Sequence, residues 1–173
     1  MSEKKELVEK ARRLGREYIL KYRGCAPGTL MAVAHTLNLK VGDELFKAMM
    51  GFSSFAGVCG NVCGGIAAMG LRYGVGLEDF VKNPEIGSLS FAKLMTAAKV
   101  LREKFAEEYG GYLCDEVQTK LFGRCVMPTS PEELEAFSKM DPEKLQVFYE
   151  KCGSVTENAA GWTVAVILEM DKK

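Results

Sequence analysis

Apolar side chains recur at steps of three and four residues along most of the chain. In the first segment Leu7, Ala11, Leu14 and Tyr18 follow this spacing, with lysine and glutamate between them. Such spacing places the apolar side chains on one side of a helix and leaves the charged ones facing water. The pattern predicts an amphipathic helix from about residue 3 to residue 21.

The same spacing predicts further helices along the rest of the chain. The apolar runs that carry it lie at residues 30–37, 45–50, 66–71, 91–105 and 145–170. Asp43 is expected to cap the run at 45–50, and Ser88 or Ser90 is expected to cap the run at 91–105. The run at 91–105 predicts the longest uninterrupted helix. Two more starts are indicated by a cap followed by proline, at Ser130-Pro131 and Asp141-Pro142. Two glycines close the helix after residue 109, and the glycines at 153 and 161 are expected to kink or divide the last run.

A helical bundle is the fold class that these runs predict. No Asn-Gly turn stands between alternating strands, so a sheet is not indicated. A chain of 173 residues that is 47% hydrophobic is long enough for one adequate core. We predict an all-α fold in which residues 1–173 form a single-domain multi-helix bundle with no significant sheet and with loops near residues 74–88 and 123–130.

Charge and hydropathy exclude several classes of partner. The 23 basic and 23 acidic residues give a formal net charge of zero, which favours neither a nucleic acid nor an anionic membrane surface. No apolar run approaches the ~18 residues of a membrane span, so membrane insertion is not predicted. Arg12-Arg13 is not followed by the apolar stretch of an export signal. We interpret the protein as cytoplasmic.

Cysteine is the residue type that carries candidate chemistry. Six cysteines occur, at positions 25, 59, 63, 114, 125 and 152. In a reducing compartment such a set indicates metal, cluster or catalytic use of sulfur rather than a permanent disulfide framework. The alternative is that several of them are buried small hydrophobic residues. The spacing contains no Cys-x-x-Cys pair, which disfavours zinc.

Cys59 and Cys63 lie in a glycine-rich stretch that includes Gly60 and Gly64. Glycine leaves room for a group to approach the sulfurs closely. If both cysteines share one helical turn, their β-carbons lie ~5–6 Å apart, which suits a shared metal or cluster better than a disulfide. If residues 57–60 form a loop, Cys59 stands at a helix start, where the dipole lowers the pKa of a thiol. Either arrangement predicts an ionised sulfur.

The other cysteines have related settings. Cys114 follows two glycines and precedes a helical run, and Cys25 precedes Ala26-Pro27, so both are expected to open helices. Cys125 follows Arg124, whose charge would favour a thiolate, and Cys152 lies in the last helical run. We therefore expect three or four of the thiols to converge.

Three other features are more simply structural. The single histidine, His35, could serve as a ligand or proton donor, but a solvated or core position is the simpler interpretation. Met49, Met50, Phe52 and Phe55 are interpreted as core filling. Trp162 could pack at a subunit interface.

The cysteine contexts resemble those of the redox-active proteins named for the pattern C_GCAxxG_C_C. Residues 24–26 (GCA) are similar to the first cysteine site, and residues 59–64 (CGNVCG), continued by 67–74, to the Cys-Gly-Ala-x-x-Gly core. Cys114 within residues 112–117 and Cys152 within residues 152–155 resemble the third and fourth sites, so the likeness spans most of the chain. Two positions depart from the pattern: Asn61 replaces an alanine and Cys63 occupies a variable position. Cys125 is an additional cysteine.

The resemblance implies a redox role and a bound iron–sulfur cluster. Its ligands would be Cys25, Cys59, Cys114 and Cys152, with Cys63 as a substitute or fifth sulfur and the amides around Gly60 and Gly64 as hydrogen-bond donors. Four thiolates are the number that such clusters require. The chain would then be an electron carrier or a component of an oxidoreductase that meets a redox partner protein, and a homodimer is compatible with the sequence.

Two alternatives stay open at this point. In the first, no metal is bound and Cys59, with Cys63 or another neighbour, cycles between dithiol and disulfide as a redox pair. In the second, the chain is a helical interaction module whose cysteines are only structural.

Overall fold

The computed structural model describes residues 3–53, 57–126, 128 and 130–172. Within these residues the chain is built from helices, and extended segments pair only at an isolated bridge between Val58 and Leu113. The helices are α1 (Glu3–Tyr22), α2 (Cys25–Leu37), α3 (Asp43–Gly51), α4 (Gly60–Tyr73), α5 (Leu77–Lys82), α6 (Pro84–Tyr109), α7 (Cys114–Phe122), α8 (Pro131–Ser138) and α9 (Pro142–Met170). The prediction of an all-α fold is confirmed.

Four helices and half of a fifth enclose the core. α1 runs antiparallel to α9, with Lys4 paired to Glu169 and Arg16 to Glu157, and α2 and α4 pack against this pair. The C-terminal half of α6 closes the core. Its largest fully buried side chains include Ile19, Leu30, Met69, Leu101, Phe105 and Ile167. Burying each such side chain stabilises the fold by about 1.5–3 kcal/mol relative to exposure.

Several predicted helix boundaries agree with the structure. α1 covers nearly the predicted range, and the side chain of Ser130 accepts a hydrogen bond from the Glu133 N–H at the start of α8. Asp141 caps α9 in the same way. Gly110, with a φ of 83°, ends α6 in the left-handed conformation that favours glycine. The predicted loop near 123–130 contains no helix among its described residues.

The predicted start of α6 was wrong. The helix begins at Pro84 and is capped by Asn83, whose side chain accepts from the N–H of Glu85. Ser90 is instead turned toward α4, where its hydroxyl donates to the carbonyl of Tyr73 at 2.6 Å. α5 and the first turn of α6 therefore occupy much of the segment that was predicted to be a loop near residues 74–88.

The start of α3 and the length and continuity of α9 also differ from the predictions. Asp43 does not cap α3, since Gly42 is the N-cap residue and Asp43 pairs with Lys47. α9, not α6, is the longest helix of the described chain, and Gly153 and Gly161 do not divide it. Both glycines lie against α1, whose packing supports the helix there.

The aromatic and methionine side chains that were predicted to fill the core differ in their burial. Met49 is buried, while Met50 and Phe52 are 42% and 46% exposed, so only part of this set fills the core. Phe55 lies outside the described residues. Trp162 packs within the chain, with its ring centroid 5.4 Å from that of Phe105 and 6.1 Å from that of Tyr109.

None of the helices that the structure describes combines the length and the apolar character of a membrane span.

Candidate cysteine-lined site

Two hydrogen bonds join the segments that carry Cys59 and Cys114. The N–H of Cys59 donates to the carbonyl of Tyr112 at 3.0 Å, and the N–H of Cys114 donates to the carbonyl of Gly57 at 2.8 Å. They form the isolated bridge between residues 58 and 113. The start of α4 is thereby held beside the start of α7, although the two lie far apart in the chain.

Four cysteines from four helix regions line one cavity. Cys25 begins α2, Cys59 is the N-cap residue of α4, Cys114 begins α7 and Cys152 lies within α9. The cavity encloses about 150 Å³, a volume in which a benzene-sized group fits. The structure thus brings together four of the thiols that were expected to converge.

Gly60 makes the close approach of these segments possible. A β-carbon built at this position would overlap the sulfur of Cys25 and lie 2.9 Å from the carbonyl oxygen of Phe52. Any larger residue would push α2 away from the start of α4. The glycine therefore allows the Cys25 sulfur to reach the N-terminus of α4.

The rest of the cavity wall is mainly apolar. It is formed largely by Ile19, Phe52, Val58, Val117, Leu121, Phe137, Phe148, Tyr149 and Val155. Arg23 is the charged side chain of this wall, and its guanidinium lies 4.6 Å from the ring centroid of Tyr149. In such poorly solvated surroundings a single cation acts strongly on nearby negative charge.

N–H groups lie close to three of the four sulfurs. The carboxamide of Gln118 donates to the sulfur of Cys114 at 3.4 Å, and that of Asn61 donates to the sulfur of Cys59 at 3.7 Å. Backbone N–H groups of Ala26 and Gly60 stabilise the ionised form of Cys25. Donors of this kind stabilise a thiolate and raise the reduction potential of a metal centre that the thiolate holds.

The other candidate residues lie outside the cavity wall. Cys63 is half-buried one turn further along α4, and Cys125 is exposed, with its sulfur 3.6 Å from the carboxamide oxygen of Gln118. His35 is exposed on α2 with its Nδ1 2.7 Å from the Tyr18 hydroxyl. The structure does not bring these three residues into the cavity.

Burial raises the pKa of every cavity thiol. The pKa of Cys114 and that of Cys152 rise to about 12, and the pKa values of Cys25 and Cys59 are raised as well. The charge of a neighbouring thiolate raises the pKa of Cys59 further, beyond what its N–H donors offset. The prediction of ionised sulfurs was therefore wrong for the metal-free protein, because removal from water outweighs the helix start.

Alkylation of the metal-free protein tests this pattern. At pH 7 we expect iodoacetamide to modify the exposed Cys125 first, and Cys114 and Cys152 far more slowly, because only the thiolate reacts. A pKa near 12 leaves these two thiols neutral, so their rates should rise about tenfold per pH unit across the alkaline range. Mass spectrometry of peptides from a pH series measures the rates. Reaction of Cys114 at pH 7 as fast as that of Cys125 would contradict the assignment.

The arrangement of the four sulfurs differs from that of a site for a single metal ion. The described residues contain no group of three or more His, Cys, Asp or Glu side chains that could hold a metal ion as they stand. The four sulfurs border a cavity instead of meeting at a point. Such an arrangement fits a centre of several atoms better than a single ion.

Sequence reasoning missed the residues that support the sulfurs. Gln118 could have been found, since it follows Cys114 by four residues on one helix and so lies beside it. Asn61 has no signal in the sequence beyond its departure from the C_GCAxxG_C_C pattern. Ser53, whose hydroxyl oxygen lies 3.7 Å from the sulfur of Cys25, has no local signal, and neither do Arg23 and Tyr149. Their places at the cavity depend on how the ends of α1 and α3 pack against α9.

The sequence model described as "Putative redox-active protein (C_GCAxxG_C_C)" matches residues 24–166, which is most of the chain. The chain belongs to this family. Membership in the C_GCAxxG_C_C family supports a redox role, and the matched range contains all four cavity cysteines. No curated protein and no solved structure matches the chain.

The departure from the C_GCAxxG_C_C pattern at Asn61 has a structural role. Its side chain is 2% exposed, accepts a hydrogen bond from the Thr29 hydroxyl at 2.9 Å and donates to the sulfur of Cys59. Alanine, the residue that the family resemblance leads one to expect, could make neither contact. The asparagine therefore links α2 to a cavity cysteine.

Proposed function

We propose that this chain binds an iron–sulfur cluster through Cys25, Cys59, Cys114 and Cys152 and uses it to carry electrons. The observation that supports the proposal most directly is the set of four cysteines around one cavity. Family membership supports the redox role, and the cluster is our inference from the donor set.

The donor set and the space suit such a cluster. Iron–sulfur clusters are held by cysteine thiolates, usually four, which can come from separate elements. Here each sulfur comes from a different helix region, and the cavity between them has room for a small group. A cluster has several atoms, so its ligands surround a volume, as these four sulfurs do.

The protein's own residues prepare the site for a negatively charged centre. Each thiol must lose its proton on binding metal, so loading releases protons and should become easier as the pH rises. The N–H groups near Cys25, Cys59 and Cys114 then stabilise the thiolates, and Arg23 offsets negative charge. The apolar wall limits access of water. When bound, the cluster would supply one-electron transfer at a potential set by these surroundings.

A metal-free dithiol mechanism has less support. It needs a thiolate nucleophile at neutral pH, whereas burial raises the pKa of Cys59 well above its ordinary value. Cys63, the other member of the expected pair, also has a pKa raised by burial. Neither thiol is prepared to attack an oxidised partner.

Anaerobic purification followed by iron, acid-labile sulfide and absorption measurements tests the proposal. We expect iron and sulfide in near-equal amounts and broad visible absorbance that fades on reduction. A protein that stays colourless after chemical reconstitution with iron and sulfide overturns the proposal. Thiol counts before and after mild oxidation would then distinguish dithiol chemistry from structural cysteines.

Asn61→Ala should lower the reduction potential of the bound cluster. The change removes an N–H donor to the sulfur of Cys59, and such a donor stabilises the reduced, more negative state. A hydrogen bond worth about 1 kcal/mol corresponds to a shift of up to about 40 mV for one electron. Redox titration followed by visible or electron paramagnetic resonance spectra measures it. Thr29→Val, which removes the donor to Asn61 but keeps the contact to Cys59, is the matched control, and a larger shift in that control would contradict the assignment.

A further inference from the structure

An unusual share of the exposed apolar surface lies on α5 and the N-terminal half of α6, here called the α5–α6 hairpin (residues 77–95). Its exposed large apolar side chains are Leu77, Phe80, Val81, Ile86, Leu89, Phe91 and Met95. Leu77, Leu89 and Met95 are 79%, 74% and 70% exposed. Isolated exposed apolar residues are normal, but a cluster of this size within 19 consecutive residues marks an interaction surface.

The apolar residues occupy more than one side of the hairpin. Inside it, the ring of Phe80 lies against Gly87 and meets Phe91 edge to face, with centroids 6.3 Å apart. On α6, Leu89 and Met95 are six residues apart and point in clearly different directions around the helix axis. A helix that is apolar on several sides is normally buried. The C-terminal half of α6 is buried in the core, as this rule expects. The apolar residues of the hairpin, in contrast, stay exposed in the single chain.

We propose that two copies of this chain pack their α5–α6 hairpins together as a homodimer. Each copy would contribute two helices, so that the four enclose the apolar residues, as in a four-helix bundle. Because the same surface serves both copies, the arrangement would be a closed twofold dimer.

The area and the charge of the hairpin both favour a second copy as the occupant. Large side chains carry roughly 150–250 Å² each, so exposures of 38–79% leave roughly 800 Å² of apolar surface on the hairpin. Stable protein pairs bury about 800 Å² on each partner. Residues 77–95 contain three acidic and two basic residues, so two copies would repel each other only weakly, and the segment offers little net charge to a charged partner.

The position of the hairpin leaves the cysteine cavity free. Tyr109, at the end of α6, lies close enough to Cys59 for their charges to interact, and Leu89 lies 20 residues earlier on the same helix, roughly 30 Å away. Trp162, for which a place at a subunit interface was one possibility, packs against Phe105 of α6 within the chain. The dimer therefore does not depend on the proposed cluster.

Light scattering of the full-length protein, with a reductant present to prevent disulfide links through Cys125, tests the proposal. We expect twice the mass of one chain for the wild type and the mass of one chain for the double variant Leu89→Glu with Met95→Glu, because each charge would be buried in the dimer. Leu134→Glu is the control: it adds one such charge at a site on α8 that is 56% exposed, and this variant should stay dimeric.

The possible results separate the dimer, its interface and the proposed cluster. Circular dichroism and iron content of the hairpin variant should match those of the wild type, because both replaced side chains are mostly exposed in the single chain and neither lines the cysteine cavity. A wild type that stays monomeric up to its solubility limit overturns the dimer, and a hairpin variant that stays dimeric overturns this surface as its interface. Absence of iron in every variant would refute the cluster and leave the dimer standing.

Discussion

Cys59→Ser should lower iron and sulfide loading by more than about tenfold, whereas Cys125→Ser should leave it unchanged. Cys59 is 4% exposed and lies on the cavity with N–H donors around its sulfur. Serine has nearly the same size, but its hydroxyl does not ionise at any working pH and so cannot replace the thiolate ligand. Changes that only touch a ligand's partners already cost ~10–100-fold in metal affinity, and loss of a ligand should cost at least as much.

The complete serine series separates ligands from other cysteines. We expect Cys25→Ser, Cys114→Ser and Cys152→Ser to resemble Cys59→Ser, and Cys63→Ser to resemble Cys125→Ser, because Cys63 lies outside the cavity wall. Iron, sulfide and visible absorbance per chain are the readouts, with circular dichroism to verify folding. If Cys63→Ser loses as much iron as Cys59→Ser, the ligand set proposed here is wrong.

Gly64→Ala should lower the free energy of unfolding by about 1–3 kcal/mol, a typical cost of overpacking a core. Gly64 lies where α4 crosses α2, and a β-carbon there would overlap the carbonyl oxygen of Ala26 and lie 3.0 Å from the β-carbon of Thr29. Backbone cannot yield as a flexible side chain does, so the two helices must move apart. Urea unfolding followed by circular dichroism measures the change.

Gly70→Ala is the matched control for this prediction. It makes the same substitution in the same helix, but its β-carbon would meet no neighbouring atom within 4 Å. Alanine is the better helix former, so this variant should gain about 0.5–1 kcal/mol. Equal effects at the two positions would show that helix propensity, not the crossing of α2 and α4, decides the result.

Gly64→Ala should also impair cluster loading. Cys25 and Cys59 lie at the starts of the two helices that cross at Gly64, so a shift of one helix changes the distance between the two sulfurs. Gly70→Ala should load iron as the wild type does. Full loading of a destabilised Gly64→Ala protein would mean that the cavity tolerates this shift.

Local signals decided which helices could be predicted. The start of α8 and that of α9 were found because a capping side chain and a proline stand next to each other in the sequence. The start of α6 was missed, although Asn83-Pro84 is a signal of the same kind, because the apolar spacing is clear only from residue 91 onward. α5 has six residues, too few for the spacing to show.

Some features of the candidate site could also be predicted from neighbouring residues, and others could not. That Cys114 opens a helix follows from neighbouring residues, and the number of cysteines follows from counting. That Cys59 and Cys114 lie together follows from two backbone hydrogen bonds between distant segments, which no side-chain pattern encodes. The expectation of ionised thiols failed for the same reason. It rested on the helix starts, which neighbouring residues determine, whereas the burial that raises the pKa of these thiols depends on the packing of distant segments.

The sequence alone thus determined the helical class, most helix positions, the family pattern and the residues that can donate sulfur, because these depend on spacing and residue type within a few turns. Only the tertiary structure decided which four thiols share a cavity, which groups donate hydrogen bonds to them and how far burial raises their pKa. The exposed α5–α6 hairpin also became visible only there, since apolar spacing cannot tell a helix side covered by the chain from one left bare. These properties arise where distant segments meet, and their free energies depend on packing and on exclusion of water.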